Sequence, residues 1–155
     1  MEQLIKGMTA KGKWYVRPVS WAGVWNEKKE LVSGNTLYEA DSEKECNAYM
    51  INHKLLELVK ENPSLPIVPM THYEVCGGDY GYWMGEIQTV EIREYAINKW
   101  CVEEAVLFKD DMGAEDRLIE AIAEYKYDGT KEDYDRAEIE AKEMWTKAII
   151  IRIGT

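Results

Sequence analysis

A chain of 155 residues fits one domain, and 46% hydrophobic with 31% charged residues describe a folded globular protein rather than a disordered or membrane one. A net charge of -10 and a pI near 4.8 argue against unspecific binding to nucleic acid or to anionic membranes, since both need clustered Lys and Arg. The charge is polarised: Glu103 to Glu143 holds fifteen Asp and Glu against six Lys and Arg, whereas the first seventeen residues hold Lys6, Lys11, Lys13 and Arg17 against Glu2 alone, so the two ends are expected to present fields of opposite sign.

Met1 to Ala10 has no apolar run of the kind a secretory leader carries, and three cysteines at 46, 76 and 101 form no Cys-x-x-Cys pair. The expectation is a cytoplasmic protein with reduced thiols and no disulfide. Six Trp and ten Tyr against one Phe favour half-buried aromatics with a polar handle, which suits recognition surfaces.

Lys13 to Ser20, aromatic and β-branched, reads as a first strand with Pro18 near its end. Trp25 to Gly34 reads as a charged segment ending in a turn, and Thr36 to Ala40 as a short second strand. A helix is predicted from Ser42 to Glu61, because Ser42 and Glu45 have the spacing of a capping box and Cys46, Tyr49, Met50, His53 and Leu56 recur on one face. Pro63 ends it, and Pro66 and Pro69 keep the next segment extended.

Ile67 to Cys76 and Tyr82 to Ile97 read as strands joined through the turn chemistry of Gly77 to Gly81, a hairpin that Trp100 to Phe108 extends. Two helices come next. The first, Glu115 to Lys126, should bury Leu118, Ile119, Ile122 and Tyr125 and end at Gly129. The second, opened by Thr130 with Asp133, should bury Tyr134, Ala137, Ala141, Met144 and Trp145. Four isoleucines between Lys147 and Ile153 predict a central strand buried on both faces. The elements add up to a single α+β domain, residues 1–155, with an antiparallel sheet of about five or six strands and three helices.

Gly77 to Gly81 lacks the Gly-Lys-Ser/Thr ending of a phosphate loop and leads into a strand, so a tight turn is the favoured reading. His53, His72, Cys76 and Cys101 have ligand chemistry for zinc but no metal-site spacing, and no metal or cofactor is expected. Asp110, Asp111, Glu115 and Asp116 crowd the start of a helix, where its dipole already accounts for acids, and no nucleophile elbow is present, so no catalytic residue is assigned. A metal-dependent hydrolase ranks last.

Asp79, Tyr80, Tyr82, Trp83 and Glu86 at the hairpin tip, with Glu120, Glu124, Asp135 and Glu138 on the acidic helices, combine aromatic anchors with charge in the manner of a protein interface. The expected partner is a protein with a basic surface; self-association is a further option. The alternative is a small-ligand site for a nucleotide signal, in which Trp21 and Trp25 stack a base and Lys13, Arg17 or Arg93 hold phosphate.

Over Pro66 to Phe108 the extended Pro-Ile-Val segment, the run Asp79-Tyr80-Gly81-Tyr82-Trp83-Met84-Gly85 and the turn Lys109-Asp110-Asp111 resemble small acidic proteins of bacteriophages and prophages of Gram-positive bacteria. The resemblance covers under a third of the chain and transfers no catalytic residues. It implies an accessory protein that acts in a host cytoplasm by binding, as an anti-defence inhibitor does.

Overall fold

The computed structural model describes residues 2–71, 85–100 and 105–154, and there the chain has the predicted α+β class. In order the elements are β1 (Leu4–Met8), β2 (Trp14–Pro18), β3 (Gly23–Trp25), β4 (Leu31–Gly34), β5 (Tyr38–Ala40), α1 (Glu43–Glu61), β6 (Ile67–Thr71), β7 (Glu86–Ile97), β8 (Val106–Phe108), α2 (Ala114–Tyr125), α3 (Lys131–Met144) and β9 (Thr146–Gly154). The described strands form three sheets, β1-β2-β5, β3-β4 and β6-β9-β7-β8, where one sheet was expected. Two compact units result. One draws on Met1–Pro63, Thr71–Val90 and Arg152–Thr155, the other on Ser64–Met70 and Glu91–Ile151.

In the first unit β2 pairs antiparallel with β1 and with β5, so Trp14 faces both Met8 and Ala40 in register. β1 escapes prediction because Lys6 and Gly7 interrupt its apolar pattern. The Tyr15 side chain of the paired strand lies over Gly7, where a Cβ would stand 2.6 Å from its hydroxyl and force the ring to shift. Residues 23–34 also exceed expectation: they form a hairpin whose charged loop is organised by Asn26, which accepts from the N–H groups of Lys28 and Glu30, both at 3.0 Å. The charges at 27–30 hide the flanking strands.

Helix α1 begins with the predicted box. Ser42 N–H donates to Glu45 Oε2 at 3.1 Å, and Ser42 Oγ accepts from Glu45 N–H. Its Cys46 joins Val16 and Ala40 in a small core, and the Tyr49 ring stacks on Tyr38 with centroids 4.7 Å apart. Leu56, expected on this face, is 69% exposed, because it lies about 80° around the helix from Cys46. Leu58 is buried instead.

In the second unit β8 pairs antiparallel with β7, Tyr95 opposite Phe108. Helix α2 ends at Tyr125 with Lys126 as its C-cap, three residues before the Gly129 expected to stop it; Gly129, with φ of 72°, donates its N–H to the Ala123 carbonyl at 3.1 Å. Helix α3 opens with the predicted Thr130–Asp133 box. Leu118 and Ile122 of α2 and Ala137 and Ala141 of α3 build the core with Ala96 and Leu107. The alanines let the two helices approach closely. Tyr125, expected inside, is 67% exposed at the last position of α2.

β9 is the central strand its isoleucines foretell: Ala148 to Ile151 are buried, and β6 and β7 flank it. That position overturns the expected hairpin, since β9 separates the strands that were to pair directly. Ile149 N–H donates to the Pro66 carbonyl at 2.9 Å. Among the described residues no helix is long and apolar enough to cross a membrane.

Candidate interaction surface

Asp79, Tyr80, Tyr82 and Trp83, with the Gly77 to Gly81 turn, His72, Cys76 and Cys101, lie outside the described residues. Glu86 opens β7 in the first unit and forms an ion pair with Lys44 of α1. The other four predicted contact residues, Glu120, Glu124, Asp135 and Glu138, belong to the second unit and all are exposed.

Helices α2 and α3 run antiparallel. Tyr134 near the start of α3 donates its hydroxyl to Glu124 Oε1 near the end of α2 at 3.4 Å, while Lys142 near the end of α3 feels the charge of Glu115 at the start of α2. Burial holds the Tyr134 phenol above its usual pKa, and the charges of Glu124 and Glu120 push it the same way. The acidic field of α2 therefore reaches α3.

Four-residue steps place Asp116, Glu120 and Glu124 in one stripe on α2. On α3 the stripe Glu132, Asp135, Ile139 and Glu143 is exposed throughout, with Ile139 at 65%. Some acids are neutralised locally: Glu138 lies 2.7 Å from Lys142, and Glu140 2.5 Å from Lys126. Asp116, Glu120, Glu132 and Asp135 have no ion-pair partner among the described residues. The Lys142 ammonium holds the Glu138 carboxyl below its usual pKa.

Sequence reasoning passed over Ile139, although the pattern contains it. Two residues from both Ala137 and Ala141, it must point away from the face they bury.

Three of the four N-terminal cations are engaged locally, and Lys11 is exposed. Lys6 is taken by Glu43 at 2.5 Å, Lys13 pairs with Asp41, and Arg17 is buried on β2. The five residues of the expected ligand site are dispersed. Arg17, Trp21 and Trp25 come together, but Lys13 is engaged elsewhere and Arg93 belongs to the other unit.

Arg93 engages Asp110 and Asp111, the two acids just before α2. It donates from Nε to Asp110 Oδ1 at 2.9 Å and from Nη2 to Asp111 Oδ1 at 2.7 Å, with its guanidinium 3.9 Å over the Phe108 ring. Burial works to lower its pKa, but the two carboxylates outweigh that and raise it. Asp110 and Asp111 thus hold the β7–β8 hairpin to the following turn. Among the described residues no group of three or more His, Cys, Asp and Glu is placed to hold a metal ion. His53 packs against Tyr49, centroids 6.2 Å apart, and Cys46 is a buried free thiol.

Comparison with protein-family models, with curated proteins and with solved structures gives no match to this chain.

Proposed function

We propose that the chain acts by binding, its acidic α2–α3 pair docking on a basic surface of a partner protein with Ile139 as an apolar contact inside a rim of carboxylates. One observation carries the reading: an isoleucine 65% exposed in a stripe with the unpaired Glu132 and Asp135. Single exposed aliphatics are common on folded proteins, and Leu56 is exposed to a similar degree at 69%; what favours contact at Ile139 is its place among carboxylates, since an apolar residue ringed by charge is how interfaces combine affinity with electrostatic steering. Non-catalytic work also suits Asp110 and Asp111, the acids most suggestive of chemistry, because Arg93 already engages them.

The specific form we propose is a phage-type accessory inhibitor that engages a host protein in the host cytoplasm, in keeping with the sequence resemblance. The test is capture from nuclease-treated host lysate on the tagged chain at low and high salt, with mass spectrometry of the retained proteins. One dominant protein released by salt supports the reading, since exposed ion pairs are screened within about 10 Å at 0.1 M ionic strength. A bait that stays empty at both salts counts against it.

A further inference from the structure

Arg17 on β2 is fully buried, at 0% exposure, and no carboxylate pairs with it among the described residues. Its Nη2 donates to the Trp21 carbonyl and its guanidinium lies 5.2 Å from the Trp25 ring, while Nε and Nη1 meet no acceptor. Buried cations normally have a counter-charge and saturated donors, so this one is unusual. The β3–β4 hairpin is cut to fit it. A Cβ on Gly23 would stand 2.2 Å from Nη1 and one on Gly34 2.9 Å, so the backbone closes on that nitrogen.

We propose that Arg17 anchors an oxyanion site, for a phosphate or carboxylate group, which the Trp21 carbonyl and the β3–β4 hairpin close in this structure. A guanidinium has two two-pronged edges, and Nη2 belongs to both. The Trp21 carbonyl occupies that shared prong. Gly23 and Gly34 block the Nη1 edge, so an anion that displaces the carbonyl gains Nη2 together with Nε, the side-on pair that matches two oxygens of one anion. Opening is local. The hairpin is a separate two-stranded sheet, tied outward by the Thr9–Leu31 bridge and by Ala10 N–H donating to the Leu31 carbonyl at 2.9 Å. Trp21 and Trp25, 36% and 44% exposed, offer aromatic surface beside the opening for a planar group on the same ligand. This site lies in the first unit and does not depend on the acidic helices.

The test is titration of the full chain with inorganic phosphate, adenosine monophosphate and acetate at constant ionic strength, with chloride as control, following Tm and tryptophan fluorescence. A saturable rise in Tm with one or more of the three is expected, and roughly tenfold weaker binding for Arg17→Lys, which keeps the charge but loses the fork. A stronger response to adenosine monophosphate than to phosphate assigns the aromatic surface to the ligand; an equal one assigns the site to the oxyanion alone. Trp25→Phe should keep the Tm response and lose most of the fluorescence change, a readout that stands if Arg17→Lys does not fold. No saturable response to any of the three anions overturns the proposal. So does an undiminished response in Arg17→Lys, or an unaltered fluorescence change in Trp25→Phe.

Discussion

Tyr134 on α3 donates its hydroxyl to Glu124 on α2 at 3.4 Å, and the neighbouring Glu120 adds its charge to the same phenol. Burial raises the Tyr134 pKa first, and the charges of Glu124 and Glu120 add to it because a negative field disfavours the phenolate. Glu120→Gln with Glu124→Gln should lower it, leaving the part due to burial. Phenolate absorbance at alkaline pH, with Tyr134→Phe as the blank, measures the change. An unmoved titration would mean that the two acids do not act on α3.

The helix starts give a stability prediction. Ser42→Ala and Thr130→Ala each remove a capping side chain and should cost about 1 kcal/mol in urea unfolding, whereas Gly at either position should cost only a few tenths.

Asp133 adds a pH dependence to the second cap. Bonds donated by the Thr130 hydroxyl and then the Thr130 N–H favour its carboxylate, so its folded pKa is below its unfolded value. Its contribution is therefore present above the unfolded pKa, the ordinary Asp range near 4, and is lost as pH falls through the lower folded pKa. Asp133→Asn should flatten that part of the stability profile between about pH 5 and pH 2. A profile of unchanged slope contradicts the assignment.

Cys46 tests the first unit's core. Burial raises its thiol pKa and Glu45 adds to the effect, so little reactive thiolate exists at neutral pH. In a Cys76→Ser, Cys101→Ser background, alkylation should be slow in native buffer and fast in urea. Rapid native labelling would contradict the packing of α1 on β2 and β5.

How legible all this was depends on whether the deciding interaction is local. Both capping boxes are contained in a few consecutive residues, and both were readable. The expected direct pairing of β6 with β7 failed because a distant strand, β9, lies between them, and pairing at that range leaves no trace in either strand's own pattern. Composition did foretell that β9 is central. Charge misled at β3 and β4, which it hid around the Asn26 loop, while of the four N-terminal cations three are engaged by Glu43, Asp41 and burial. At the surface the acids were legible and Ile139 was in the pattern unread.

Ile150 and Ile139 separate stability from binding. Ile150→Ala in buried β9 should cost about 2–5 kcal/mol in denaturant unfolding. Ile139→Ala should stay within about 0.5 kcal/mol of wild type, as exposed positions do, yet weaken partner capture. A large stability loss from Ile139→Ala would make it a packing residue rather than a contact.

The most direct measurement is the affinity of the captured partner for the wild-type chain and for a variant carrying Glu120→Lys, Glu124→Lys, Asp135→Lys and Glu138→Lys, each at two salt concentrations, with circular dichroism as a check on folding. Steering by the α2–α3 surface predicts that the folded variant binds at least about tenfold more weakly and that salt weakens the wild type far more than the variant. Equal affinity with equal salt dependence would contradict the account.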